Sequence, residues 1–176
     1  MEEGEGWIKL ARRSVEVFLS GEGMLATPEL VSEELAGQAG VFVCIKRRNG
    51  DLRGCVGTVM PVRKNIAEEI IYNAVAAAIE DSRFVPVQLA ELDDLVFSVD
   101  ILSPLELVSS AADLDPKTYG VMVESEDGRR GLLLPDLAGI DHAEQQMVIA
   151  MRKAKILLGT PVKYYRFVVE RISEKQ

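Results

Sequence analysis

Two cysteines, Cys44 and Cys55, and one histidine, His142, are all that the 176 residues hold of the side chains that build disulfide frameworks and zinc sites. With no Cys-x-x-Cys spacing and a single histidine, no metal centre is expected, and two thiols are too few to staple a small fold. No apolar run approaches the ~18 residues of a membrane-spanning helix. Met1 to Gly6 is acidic where a secretion signal would be basic and then apolar. The expectation is a cytoplasmic protein with no membrane segment. Basic residues are outnumbered, 20 Lys and Arg against 28 Asp and Glu, for a net charge of −8. That balance opposes broad attraction to phosphate backbones or anionic lipid and makes nucleic acid an unfavoured partner. Neither Gly-x-Gly-x-x-Gly after a strand nor a phosphate-binding loop ending in Lys-Ser/Thr is present, so no cofactor is expected.

What is there is ordinary globular material, 48% hydrophobic and 27% charged. A chain of this length fits a single domain over residues 1–176, burying roughly 70% of the surface its unfolded form exposes. Trp7, Leu10, Ala11, Ser14 and Phe18 follow one helix face, stopped by Ser20-Gly21. Gly23 to Gly40 is irregular and contains Pro28, which reads as a connecting wrap. Val41 to Arg48 and Leu52 to Val59 flank Asn49-Gly50, a hairpin signal expected mid-sheet. A broad apolar stripe from Ile66 to Ile79 predicts a helix on that sheet, and Leu95 to Leu102 a strand with Ser98 and Asp100 on one face. Val121 to Glu124 and Gly131 to Leu134 bracket Asp127-Gly128 as a second hairpin. Asp141 with Glu144 resembles a capping box for a helix running through Leu158, and Tyr165 to Ile172 is a last strand. Strands and helices without regular alternation indicate α+β architecture on an antiparallel sheet. No internal repeat is visible.

The densest special feature is Gly54-Cys55-Val56-Gly57. Two glycines beside a thiol allow close backbone approach, and a nucleophilic cysteine benefits from free N–H groups and from cations such as Arg53 and Arg83. The competing reading is a small hydrophobe in a strand, with glycines making room for a neighbour. Asp81, Arg83 and Asp100 can serve as acid, anion clamp and base, or equally as Asp–Arg pairs tying a loop to a sheet. Basic clusters at Arg47, Arg48 and Arg53, at Arg129 and Arg130, and at Arg152, Lys153 and Lys155 read as a local anion site or as solvated charge. His142 lies in the first turn of a helix, so no Ser-His-Asp or Cys-His arrangement assembles. A two-residue Asn49-Gly50 loop would set Arg48 against Asp51 and, counting outward, Cys44 directly against Cys55, a candidate redox pair. A three-residue loop or a bulge at Gly54 would break that register.

Leu52-Arg-Gly-Cys-Val-Gly-Thr58, joined in order by Gly40-Val-Phe-Val, Asp81-Ser-Arg-Phe-Val-Pro86, Gly131-Leu-Leu-Leu-Pro135 and Arg152-Lys-Ala154, resembles the AMMECR1 domain family over nearly the whole chain. The resemblance implies an α+β fold with a larger and a smaller lobe, and a cleft lined by Arg53, Gly54, Cys55, Asp81, Arg83 and Phe84. It also implies two partners, a Memo-like protein and a radical S-adenosylmethionine protein, in a system whose reaction is unassigned. Cys44 and Lys155 stand where that pattern expects Thr and Gly, so a two-thiol mechanism would belong to this chain and not to the family. Two functions follow. In one, Cys55, assisted by Asp81 and Asp100, acts as a thiol nucleophile while Arg53, Gly54, Gly57, Arg83 and Phe84 bind an anionic substrate. In the other, the chain is a non-catalytic ligand- or protein-binding module in which Cys55 is structural.

Overall fold

A computed structural model describes residues 5–28 and 31–174. The acidic start, residues 1–4, and two positions in the connecting segment lie outside them. The chain divides into two compact units: the larger runs up to Ile101 and resumes at Glu170, and the smaller is Leu102–Val169. No described helix is long and apolar enough to cross a membrane.

In the larger unit, helix α1 (Glu5–Leu19) buries Trp7, Ile8, Ala11, Ser14 and Val15. Leu10 and Phe18 are only half-buried, so the inward stripe is rotated toward Ile8 and Val15. After a short α2 (Glu33–Ala36) come β1 (Val41–Arg47) and β2 (Leu52–Thr58), then α3 (Ile66–Ile79), capped by the Asn65 side chain, which accepts from Glu68 N–H. Strand β3 is Leu95–Leu102, as the sequence predicts. In the smaller unit, β4 (Glu106–Val108) had no sequence signal. It precedes β5 (Gly120–Ser125), β6 (Arg130–Leu133) and α4 (Ala143–Lys153). The single last strand expected at Tyr165 to Ile172 is two strands, β7 (Val162–Phe167) and β8 (Val169–Ser173), in different sheets. The break falls at Val168, whose N–H donates to Ser103 Oγ and whose carbonyl accepts from Ser103 N–H.

The fold is α+β, with two four-stranded antiparallel sheets ordered β2-β1-β3-β8 and β4-β7-β5-β6. Central placement holds for β1, which lies between β2 and β3, but β2 is an edge strand. Read from the hairpin outward, both sheets have one topology: hairpin, helix, then a strand beside the first hairpin strand, with a fourth strand added from elsewhere. The two hairpins are closed alike. Arg47 N–H donates to Asp51 and Gly50 N–H to Arg47; Ser125 N–H donates to Arg129 and Gly128 N–H to Ser125. Gly50 and Gly128 take φ of 91° and 83°, the left-handed position of a three-residue hairpin loop. In each second strand a glycine faces the helix at close range: a Cβ at Gly54 would overlap the Ala77 carbonyl of α3, and one at Gly131 the Ala150 carbonyl of α4. The repeat escaped the sequence because it is one of turn chemistry and packing, not of residue identity.

Helix α4 starts one residue later than the Asp141–Glu144 spacing suggested, at Ala143, because Gln145 Oε1 accepts from the N–H groups of both Asp141 and His142. It stops at Lys153, short of Leu158. Lys155 N–H donates to Arg152 and Ile156 N–H to Met151, a paired closure in which Lys155 takes a left-handed φ of 55°.

Candidate functional site

The three-residue loop Arg48-Asn49-Gly50 shifts the β1–β2 register by one residue, and a bulge at Arg53 shifts it back. Lys46 pairs with Leu52, but Ile45 pairs with Gly54 and Cys44 with Cys55. The two thiols therefore meet although the hairpin loop is longer than the two-residue form. Their Cα atoms are 4.1 Å apart and their sulfurs are joined in a disulfide. As bonded, Cys55 carries no titratable thiol, so a nucleophilic role requires the reduced form.

The bulge also turns the Arg53 side chain inward. It is almost fully buried, donating through Nε and Nη2 to the two Glu91 carboxylate oxygens at 3.0 and 2.9 Å and through Nη1 to the Val85 carbonyl at 2.8 Å. The Arg53 pairing holds the Glu91 carboxyl below the usual carboxylate range. Expected as an anion clamp, Arg53 is occupied by the protein itself. Its neighbour Gly54 supplies the close approach to α3, and Gly57 the space for the Phe42 ring, which a Cβ there would strike. The packing explanation of both glycines is thus sufficient.

Asp81 sits at the β2 edge. Its Oδ2 accepts from Cys55 N–H at 2.9 Å and from Arg83 Nη2 at 2.7 Å, and its Oδ1 accepts from Arg83 Nε and backbone N–H. Hydrogen bonding from the Arg83 side chain, above all, pushes the Asp81 carboxyl far below the ordinary range, and the Cys55 and Arg83 N–H groups add to this. A carboxylate so held does not donate a proton near neutrality; it ties the loop to the strand. Arg83, its own pKa raised by Asp81, keeps 56% of its side chain exposed and lies over the half-buried Phe84 ring at 5.4 Å. Val85 beyond it is 77% exposed. Phe84 N–H donates to Asp81 and Val87 N–H to Ala78, so segment 81–87 is fixed at both ends while Arg83, Phe84 and Val85 point outward or lie half-open.

Asp100 stands apart from Asp81. It lies on β3 opposite Phe42, is 2% exposed, and receives Arg171 Nε and Nη2 at 2.7 Å each. The partner its burial demanded comes from β8, 71 residues on. Among the described residues there is no group of three or more His, Cys, Asp or Glu able to hold a metal.

Sequence reasoning missed Glu91, whose only local sign is a capping arrangement with Gln88. It also missed the buried Glu69, whose Oε1 accepts from the N–H groups of Val62 and Arg63 and whose Oε2 accepts from Thr58 Oγ1 at 2.8 Å. Asn73 Nδ2 donates to the Val41 carbonyl beside it. This network holds the segment after β2. Within an apolar helical stripe, a lone Glu and Asn carry no signal of an inward role.

Comparison with known proteins agrees with this architecture. The chain is 48% identical over 167 residues to a protein of Thermotoga maritima, covering 94% of this chain and 95% of that one. It is 44% identical to protein CA_C1420 of Clostridium acetobutylicum over 98% of its own length but only 37% of that protein's. The crystal structure of an uncharacterized protein, PH0010 from Pyrococcus horikoshii, superposes with a TM-score of 0.89 at 32% identity, over 98% of this chain and 91% of that chain. The AMMECR1 family model matches residues 8–172. The chain belongs to the AMMECR1 family.

Proposed function

We propose that this protein is a binding component of a multi-protein cytoplasmic system, docking a partner through the rigid 81–86 segment, and is not itself the catalyst. One observation carries the reading: each charged group in position for chemistry beside Cys55 is occupied within the chain, Arg53 by Glu91 and the Val85 carbonyl and Asp81 by Arg83 and Cys55 N–H. What that investment secures is a fixed loop presenting a cation, an aromatic ring and an exposed valine, the mixture that anchors protein interfaces. Preorganisation lowers the ordering cost of binding. The family resemblance supplies the partners to test, a Memo-like protein and a radical S-adenosylmethionine protein.

Titration calorimetry of each partner against the parent protein, Arg83→Ala and Phe84→Ala checks this. At least one partner should bind, and each variant should lose roughly tenfold or more in affinity, about 1.4 kcal/mol, while staying folded at the assay temperature; Arg83→Ala also releases Asp81 and should melt somewhat lower than the parent. Binding that ignores both substitutions, or no binding of either partner, overturns the docking role. The catalytic reading makes a different demand. It needs Cys55, in reduced native protein, to alkylate fast near neutral pH with an apparent pKa well below the roughly 8.5 of free cysteine.

A further inference from the structure

The Cys44–Cys55 pair has no part in that docking reading. Neither cysteine belongs to the apolar cluster formed with α1 and α3; both are half-buried, on the sheet face opposite Val41, Val43 and Ile45, which lie in that cluster. The bond joins strands that the ladder on either side already holds in register. Cys55 N–H points away from β1, toward Asp81, so the cysteines form a non-hydrogen-bonded pair, the kind in which opposed residues come closest. The backbone therefore keeps the two sulfurs neighbours whether or not they are bonded.

We propose that Cys44 and Cys55 form a reversible thiol–disulfide exchange site whose co-reactant is a low-molecular-weight thiol and its disulfide, with Cys55 the sulfur that the co-reactant meets. In the reducing direction a small thiolate attacks Cys55 Sγ. A bond forms between the two, the Cys44–Cys55 bond breaks, and Cys44 leaves as thiolate and takes a proton from water. A second small thiolate attacks the co-reactant's sulfur in this mixed disulfide, releasing the small disulfide and Cys55 as thiolate, which is protonated in turn. Two electrons pass from two small thiolates to the pair, and oxidation is the reverse. Attack at sulfur runs along the bond being broken. For Cys44, on the central strand, that line comes over β3, where Ser98 stands opposite. For Cys55 it comes from beyond β2, where the sheet ends, and Asp81 meets Cys55 there at its backbone N–H, in the plane of the sheet, not over the side-chain face.

The folded protein is equilibrated in glutathione buffers from strongly reducing to strongly oxidising, acid-quenched, alkylated and weighed intact. Both cysteines should change together in one step and revert when the buffer is exchanged. Cys44→Ser should accumulate a glutathione adduct at Cys55, roughly tenfold faster than Cys55→Ser does at Cys44. A bond that opens only on unfolding, thiols that stay free in the most oxidising buffer, or faster adduct formation at Cys44 each overturn the proposal. The docking reading can fail without touching any of these outcomes.

Discussion

Lys155 holds a left-handed backbone, φ 55°, at the position that closes α4. Side chains with a Cβ occupy that region at a cost on the order of 1 kcal/mol, and glycine does not. Lys155→Gly should therefore raise stability by about 1 kcal/mol, read as a higher denaturant midpoint at unchanged slope. The helix closure and the Arg129 hydrogen bond to the Lys155 carbonyl use only backbone at position 155 and survive the change. Arg53 argues the opposite way. Removing it in Arg53→Ala leaves the Glu91 carboxylate without its cation and the Val85 carbonyl without its donor, and should cost about 2 kcal/mol, less than a fully buried pair because the Glu91 side chain is 32% exposed to water. Urea unfolding measures it. Of the residues singled out from sequence, Asp81 and Arg83 were legible as partners because they are two apart. Arg53 with Glu91 and Asp100 with Arg171 were not, since strands and turns far apart in the chain bring them together.

At the scale of elements, the two hairpin–helix assemblies make a matched test. Gly54→Ala and Gly131→Ala each place a methyl against a helix carbonyl, Ala77 and Ala150 respectively. Backbone cannot rotate aside as a side chain can, so each should destabilise by about 2–3 kcal/mol, the upper range for overpacking, by denaturant titration. A loss at one site and none at the other would show that the helix facing the tolerant site is free to shift. The helices and hairpins themselves were readable: apolar spacing marked α1 and α3, and Asn49-Gly50 and Asp127-Gly128 marked the turns. Loop length was not. Whether such a dipeptide closes a two- or three-residue loop depends on the strand ladder, and here the longer loop is offset by the Arg53 bulge.

For the molecule as a whole, charge dictates its acid response. Hydrogen bonds, from Arg83, Arg53, Arg130 and Arg129 respectively, hold Asp81, Glu91, Glu124 and Asp127 below their ordinary pKa values in the folded state. A carboxyl depressed on folding adds stability that is complete above its unfolded value, about 4, and is lost as pH falls through the folded one. Melting temperature should thus hold between pH 7 and about 5 and decline steeply below about 4. Asp81→Asn should melt lower than the parent at neutral pH, with the gap narrowing in acid; a gap that widens contradicts the assigned pairing. Sequence alone determined the α+β class, the core stripes, the two turns and the family, since these rest on local periodicity and on residues adjacent in the chain. Tertiary structure alone decided that the last strand divides between two sheets, that the hairpin–helix unit occurs twice, and that Cys44 meets Cys55. It also decided that Arg53 turns inward to Glu91. Each of these depends on register and on partners far along the chain, which only the closing of the sheets selects.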